Sequence, residues 1–241
     1  MKRYDFISHT VSAKIKNYAK KLHRAKAYFI KAIYTSLKYQ KTKDTVKNMA
    51  KLYFKYGAMG SSKTAQALIT KFNYEERGMK VWLIKPALDN RDGEKIIKSR
   101  IGLYASCETI DKCDDIYTIF SEKRTDYDVI IADECQFFTC EHIDALRKIV
   151  DDFDVPILCF GLRADFLCHL FEGSKRLFEV ADSIAEIKTI CECGAKATVN
   201  ARLDKDMRIV TEGAQVMLGG NDSYIAMCHK CWQKKIKEQA I

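Results

Sequence analysis

The stretch from Gly57 to Thr64 has the residue types and spacing of a loop that binds phosphate groups. It reads Gly-Ala-Met-Gly-Ser-Ser-Lys-Thr and lies between an alternating apolar run and a helix-forming segment. Small residues allow successive backbone N–H groups to turn towards phosphate oxygens, and the helix that follows adds the positive end of its dipole. We expect Lys63 to contact the outer phosphates and the Thr64 hydroxyl to bind Mg²⁺.

One position departs from the usual pattern G-x-x-x-x-G-K-[ST], because Ser62 stands where a glycine ordinarily precedes the lysine. If this position requires a positive φ, serine adopts it at a cost of about 1 kcal/mol. A plain Gly/Ser turn between a strand and a helix would use similar residues. The loop alone therefore leaves both interpretations open.

Two acidic residues, Asp133 and Glu134, follow the apolar run at 127–132. A strand there would deliver both carboxylates at its carboxyl end, beside the phosphate loop. We expect Asp133 to hold Mg²⁺ through its water shell, and Glu134 to accept a proton from an attacking hydroxyl or to orient a water. The alternative to these roles is that the two residues form an acidic turn after the strand. Of the next two aromatic residues, Phe137 and Phe138, at least one could face a flat ring in the pocket.

Four cysteines form two close pairs near the carboxyl terminus. Cys191 and Cys193 are separated by one residue, and Cys228 and Cys231 by two. Four thiolates in two pairs suit a tetrahedral structural Zn²⁺. A zinc ribbon could also be a nucleic-acid module, but few Lys or Arg residues flank it, so we expect its role to be structural. The other six cysteines show no such pairing and are expected to be reduced core or surface thiols.

Strand and helix patterns alternate along the chain after Met49. Apolar runs predict strands at 51–57, 79–85, 127–132 and 155–162, and helical periodicity predicts helices at 64–77 and 139–152. The polar stretch 87–106 is expected to be a loop or a short helix beside the site. Repeated strand–helix units predict an α/β fold with a parallel sheet, helices on both faces and ligands at the carboxyl ends of the strands.

Composition limits the classes of protein to consider. The chain has 241 residues, of which 47% are hydrophobic, so it can form one large domain or a core with a small appendage. Ten cysteines without an apolar signal segment argue against a secreted disulfide scaffold and favour a cytoplasmic protein with reduced thiols. No apolar run approaches the roughly 20 residues that span a bilayer.

Charge is concentrated in residues 1–48. Of the net charge of +9, this segment carries +11 and the rest of the chain −2. Its apolar residues recur at helical spacing between lysines, which would suit an amphipathic helix on a membrane or a nucleic acid, or an organelle-targeting segment. A third interpretation, which we favour, is that Met49 is the true start and these residues are upstream sequence.

Two family resemblances compete for the body of the chain. Asp133–Gln136 is similar to the acidic box of DExx helicases, but such enzymes need two tandem ATPase cores and about 190 residues after Met49 hold one. The second resemblance runs from about residue 51 to 232 and is to the zinc-containing thymidine kinases of bacteria and animal cytosol. Five motifs occur in that family's order: Gly57–Thr64, Lys85-Pro with Asp89-Asn-Arg91, Asp133–Phe138, Phe160–Phe166 and Leu218–Tyr224.

The second resemblance implies a role for each matching residue. The ATP phosphates would be bound by Gly57, Ala58, Met59, Gly60, Ser61, Ser62, Lys63 and Thr64, and the nucleotide and metal site would be lined by Asp133, Glu134, Cys135 and Gln136. Glu134 matches the proton acceptor for the thymidine 5′-hydroxyl, and Arg91 and Lys63 would stabilise the migrating phosphate. The thymine would be enclosed by Met59, Phe137, Leu162, Phe166, Met217, Gly219 and Tyr224.

The expected protein is thus an ATP-dependent thymidine kinase that makes dTMP. Its parts would be a basic extension (1–48), a RecA-like P-loop core (49–183) and a zinc-binding lobe with a nucleoside-covering loop (184–241). It would use ATP, Mg²⁺ and a structural Zn²⁺, and the family resemblance implies a homotetramer without nucleic-acid or membrane partners. The rivals are a DExx-type ATPase stimulated by nucleic acid and a zinc-ribbon binding module that hydrolyses ATP slowly.

Overall fold

The computed structural model describes residues 49–216 and 223–239. The interpretations of residues 1–48, and the roles expected for Met217 and Gly219, lie outside these ranges. Within them the strands are β1 (Leu52–Gly57), β2 (Val81–Pro86), β3 (Ile96–Lys98), β4 (Tyr104–Ser106), β5 (Glu108–Ile110), β6 (Val129–Ala132), β7 (Ile157–Leu162), β8 (Ser183–Glu186), β9 (Val199–Arg202) and β10 (Tyr224–Met227). The helices are α1 (Lys63–Glu75), α2 (Ile116–Glu122), α3 (Cys140–Phe153), α4 (Glu172–Val180) and α5 (His229–Gln239).

Six strands form one sheet in the order β5-β2-β6-β7-β1-β8, and every pairing in it is parallel. Two short antiparallel pairs, β3 with β4 and β9 with β10, lie outside this sheet. The predicted α/β fold is confirmed. The strand order places β6, β7 and β1 side by side, so the segments that follow their carboxyl ends are neighbours.

Side chains alternate between two apolar cores on opposite faces of the sheet. On β6, Ile130 packs into one core while Val129 and Ile131 pack into the other. Helices α2, α3 and α4 contribute to the first core, and α1 contributes Ala67 and Leu68 to the second. Strands buried on both faces read as continuous apolar runs, which is why the sequence pattern at 129–132 and 157–162 identifies them.

The helix boundaries follow from local chemistry. At the start of α3, the Thr139 hydroxyl accepts a hydrogen bond from the His142 N–H, and the His142 ring accepts one from the Thr139 N–H. At the end of α1, Gly78 has a φ of 75°, a left-handed conformation that suits glycine and stops the helix. Both helices lie within two residues of their predicted boundaries.

The sequence patterns missed some elements. The stretch 87–106, expected to be a loop or a short helix, contains the β3–β4 hairpin. The short elements β5, α2, α4 and β8 had no predicted counterpart. Three or four residues with mixed polarity give too little periodicity to identify a strand, and these elements depend on packing against the sheet.

Candidate active site

One cavity lies beyond the carboxyl ends of β1, β6 and β7. It gathers most of the residues selected from the sequence, although they come from five separate segments of the chain. The predicted residues lining it are Met59, Gly60, Ser62, Lys63, Thr64, Arg91, Asp133, Glu134, Gln136, Phe137, Leu162, Phe166 and Tyr224. The fold therefore brings the phosphate loop, the acidic pair and the aromatic residues to one place.

The loop after β1 has the backbone that its residue types predict. A Cβ on Gly57 would lie 2.4 Å from the Ile187 carbonyl oxygen, so a side chain has no room there. Ser62 has φ 60° and ψ 27°, so this position does require the left-handed region and serine adopts it. The amino terminus of α1 has no side-chain cap, so its first N–H groups are free to bind an anion.

Lys63 lies inside this loop and is only 8% exposed. Its Nζ donates to the Ala58 carbonyl oxygen at 2.9 Å and to the Ser61 hydroxyl at 3.4 Å. Burial lowers the pKa of Lys63, although the carboxylates of Glu134 and Asp133 oppose this effect. A phosphate entering the loop would therefore meet a cation that is weakly hydrated and already directed inwards.

Asp133 is 2% exposed, and its Oδ1 has no hydrogen-bond partner within the described residues. Burial, reinforced by the nearby Glu134 carboxylate, raises its pKa from 3.8 to about 7, and Thr64 and Lys63 partly oppose this rise. An unpartnered buried carboxylate oxygen beside a threonine hydroxyl is the kind of oxygen donor set that a hard divalent cation takes. These two residues therefore fit the Mg²⁺ role predicted for them.

Glu134 is held from both sides. Its Oε1 accepts from the Arg91 guanidinium at 2.7 Å, and its Oε2 accepts from the Gln136 amide at 2.5 Å. Burial alone would raise the pKa of Glu134, but Arg91 and Lys63 lower it below its ordinary value, so the side chain is ionised at neutral pH. Its φ of 52° is left-handed, a strained conformation that turns the residue away from the direction of β6.

Gln136 connects Glu134 to the neighbouring strand. Its side-chain oxygen accepts from the Leu162 N–H at 2.9 Å while its amide nitrogen donates to Glu134. The side chain is 2% exposed. Because both ends of the amide are used, Gln136 fixes the position of the Glu134 carboxylate relative to the end of β7.

The segment that carries Arg91 is fixed by a second buried lysine. Lys85, at 1% exposure, donates from Nζ to the carbonyl oxygens of Gly93 and Ile96, each at 2.9 Å. Arg91 Nε also donates to Asp89 at 2.6 Å. Burial opposes the charge of Arg91, yet the Glu134 and Asp89 carboxylates raise its pKa above the ordinary value. Arg91 thus stays charged beside Glu134.

Aromatic and apolar residues form the other side of the cavity. Phe137 lines it, whereas Phe138 is buried in the core, so one of the two aromatic residues faces the pocket as expected. Leu162, Phe166 and Tyr224 also line the cavity, and Arg202 contacts both Phe166 and Tyr224.

Some predicted residues do not line the cavity. Gly57, Ala58 and Ser61 lie in the loop without facing it, and Cys135 is fully buried, with its Sγ donating to the Ala132 carbonyl oxygen at 3.1 Å. Their contact with nucleotide stays a prediction.

The cavity also contains residues that the sequence reasoning missed. Arg100 lines it from the β3–β4 turn, and Asn200 lines it from β9, where its Oδ1 accepts from the Met59 N–H at 2.7 Å. Arg100 lies within the polar stretch 87–106, in which no pattern marked it as a cavity-lining residue. Asn200 gave no sequence signal, because its contact spans 141 positions of the chain.

The four paired cysteines come together in a cluster, and none of them lines this cavity. The ligand atoms of Cys191, Cys193, Cys228 and Cys231 all lie within 4.8 Å of one another, and the Cys193 and Cys228 sulfurs are 3.7 Å apart. Tetrahedral Zn²⁺ with bonds of about 2.3 Å places its sulfurs about 3.8 Å apart. Hydrogen bonds from the backbone N–H groups of Cys193 and Cys228 lower the pKa of Cys191 to about 7, which favours its thiolate. The cluster is compatible with zinc.

The six remaining cysteines are free, as expected. Three of them are buried (Cys107, Cys135, Cys159), Cys113 is exposed, and Cys140 and Cys168 are half-buried.

In the described ranges, none of the helices has the length and apolar character needed to cross a membrane.

The parallel sheet and the loop between β1 and α1 define the class of P-loop α/β nucleotide-binding proteins. Within that class the chain belongs to the thymidine kinase family, because the family model described as thymidine kinase matches residues 50–232. A thymidine kinase of Yersinia pestis is 42% identical over 191 residues, which are 78% of this chain and 97% of that protein. A thymidine kinase of Ruegeria pomeroyi is 43% identical over 188 residues, 77% of this chain and 95% of that protein.

A solved structure is also similar to this chain. The Pif1 helicase from Candida albicans matches over 63% of this chain and 38% of its own, with 14% sequence identity and a TM-score of 0.36. A likeness this distant carries no argument about function. The resemblance to zinc-containing thymidine kinases is thus confirmed at the level of the family, and the helicase alternative is not favoured.

Proposed function

We propose that this protein transfers the γ-phosphate of ATP to the 5′-hydroxyl of thymidine and so produces dTMP. The observation that carries the proposal is the placement of Glu134. Its ionised carboxylate is held between Arg91 and Gln136 in the same cavity as the phosphate loop and the aromatic wall. A positioned base next to a phosphate site and a surface for a flat ring is what phosphorylation of a nucleoside hydroxyl requires.

Each group has a role in this reaction. The first turn of α1 and Lys63 bind the triphosphate, and Glu134 takes the proton from the 5′-hydroxyl as it attacks phosphorus in line with the leaving ADP. Arg91 stabilises negative charge on the migrating phosphoryl group. Mg²⁺, held by Thr64 and Asp133, would supply further neutralisation of phosphate charge. Catalysis is therefore mainly positioning and electrostatic stabilisation.

We also propose a bound metal, a cellular compartment and an assembly for this protein. We assign a structural Zn²⁺ to the four-cysteine cluster, on the basis of ligand type and sulfur spacing. The free thiols suit a reducing compartment, which favours the cytoplasm. A homotetramer is the assembly that the family resemblance implies.

The first experiment measures transfer of labelled γ-phosphate from ATP to thymidine with Mg²⁺, for the full chain and for a shortened chain that begins at Met49. Formation of dTMP by both supports the proposal and makes residues 1–48 dispensable for catalysis. Hydrolysis of ATP that is stimulated by DNA or RNA, without dTMP, would contradict it and favour the nucleic-acid ATPase.

Glu134→Gln tests the role of the base. The amide has nearly the same shape but cannot accept the proton, so kcat should fall by about a hundredfold or more while ATP binding is retained. Steady-state kinetics and equilibrium binding of ATP measure the two effects. Near-normal turnover by this variant would refute the assignment of Glu134 as the base.

A further inference from the structure

Arg202, on β9, is a buried arginine for which neither the reaction nor the zinc site has a use. It is 4% exposed, although burying a guanidinium is unfavourable unless its donors are satisfied. Its contacts in the described ranges are with carbonyl oxygens, a phenol and aromatic rings.

The guanidinium joins three parts of the cavity wall. Its Nε donates to the Tyr224 hydroxyl at 2.8 Å, and its two terminal nitrogens donate to the carbonyl oxygens of Ala214 and Gln215 at 2.9 and 3.2 Å. Its Cζ lies 3.8 Å from the centroid of the Phe166 ring, within the range of a cation–π contact. Phe166 and Tyr224 are residues that we expect to contact thymine.

A second contact fixes the same segment. The Gln215 side-chain amide donates to Asp165 Oδ2 at 2.9 Å, and Asp165 Oδ1 accepts from the N–H groups of Leu167 and His169 at 2.9 Å. The backbone at 214–215 is therefore tied to β9 by Arg202 and to the Phe166 loop by Asp165.

We propose that Arg202 is a positioning residue for the nucleoside, which holds Phe166, Tyr224 and the backbone at 214–215 in the arrangement that binds thymidine. The inference rests on the proposed function and deepens it. Arginine suits this role because its planar guanidinium group donates to several acceptors in fixed directions while its face packs on the Phe166 ring. Its contacts lie on the aromatic side of the cavity, so the binding of ATP should not depend on it.

The test compares Arg202→Met and Arg202→Lys with the wild type in steady-state kinetics, in which thymidine and ATP are varied separately. We expect the KM for thymidine to rise about tenfold or more in Arg202→Met, with the KM for ATP and the zinc content unchanged. Lysine keeps the positive charge but lacks the planar guanidinium group, so Arg202→Lys should give a smaller rise in the KM for thymidine. The matched control is Arg208→Met, at an exposed arginine of the same lobe, which should leave both KM values unchanged.

A second variant avoids the buried position. Gln215 is exposed, so Gln215→Ala should fold normally and should raise the KM for thymidine about threefold through loss of the Asp165 contact. If Arg202→Met does not fold, Arg202→Lys and Gln215→Ala still decide the matter. A wild-type KM for thymidine in these two variants, or equal increases in both KM values, would overturn the inference. Absence of dTMP formation by the wild type would instead overturn the proposed function.

Discussion

Asp133 gives a prediction in which stability and function move in opposite directions. The carboxylate is buried, and one of its oxygens has no hydrogen-bond partner among the described residues, which favours its protonated form in the folded protein. Asp133→Asn replaces it with a neutral group of nearly the same shape. We expect the substitution to stabilise the protein in the absence of Mg²⁺ and nucleotide, and to abolish most Mg²⁺-dependent turnover.

The size of the effect follows from the pKa. The rise from 3.8 to about 7 means that ionised Asp133 destabilises the folded state above pH 7. At about 1.36 kcal/mol per pKa unit, this is about 4 kcal/mol of unfolding free energy. The amide leaves its own polar atoms partly unsatisfied, so we expect a gain of about 2 kcal/mol and an increase in Tm of roughly 5 °C.

The effect of Asp133 on the unfolding free energy changes with pH in a defined direction. Because the pKa of Asp133 is higher in the folded state than in the unfolded state, the protonated side chain contributes its full stability below the unfolded-state pKa of 3.8. This contribution is lost as the pH rises through the folded-state pKa of about 7. The advantage of Asp133→Asn should therefore be small near pH 5 and largest near pH 8. Thermal unfolding of both proteins across this range, without and with Mg²⁺ and ATP, measures it.

Glu134→Gln is the matched control, because its carboxylate has the opposite pKa shift. The ion pair with Arg91 favours the charged form of Glu134, so the amide should lower the unfolding free energy at neutral pH. An Asp133→Asn protein that is less stable than the wild type at every pH would refute the reasoning. So would a gain in stability that does not change with pH.

Three further outcomes are expected. Ser62→Gly should raise the unfolding free energy by up to about 1 kcal/mol, because it removes the backbone strain of a serine in the left-handed region. Urea titrations measure this, and an unchanged or lowered unfolding midpoint would contradict it. Lys85→Met should lower kcat about tenfold while leaving the KM for thymidine nearly unchanged, because it frees the segment that carries Arg91; normal kcat would contradict it. Cys193→Ser should lose zinc and several degrees of Tm, whereas Cys113→Ser, an exposed cysteine outside the cluster, should lose neither.

Local patterns were sufficient for the elements that carry the chemistry. The runs at 129–132 and 157–162 are apolar because both faces of their strands are buried, and the loop from Gly57 to Thr64 is constrained by its own backbone. The motif also identified Ser62 as the residue that would be strained if its position required a positive φ, and its φ is 60°. In each case the physical cause lies within about ten residues, so the sequence displays it directly.

The parts that were not predicted depend on contacts between distant segments. Asn200 reaches the backbone of Met59, and Arg202 reaches Phe166, through the placement of β9 beside the cavity. Arg202 is one of many basic residues in the chain, and only its burial distinguishes it. A side chain of this kind leaves no signal at the level of spacing, because its role is defined by which segments the fold brings around it.

Two residues with strained backbones and two buried charged groups lie together at one edge of the sheet. Ser62 and Glu134 both have left-handed backbones, and Lys63 and Asp133 both have pKa values moved towards the neutral form by burial. Burial of the charged groups of Lys63 and Asp133 lowers the stability of the protein without ligands, and a bound phosphate or divalent cation would offset this cost. Ligand binding should therefore stabilise this edge more than the rest of the sheet. Hydrogen exchange with and without ATP and Mg²⁺ would detect this as protection confined to the segments after β1 and β6.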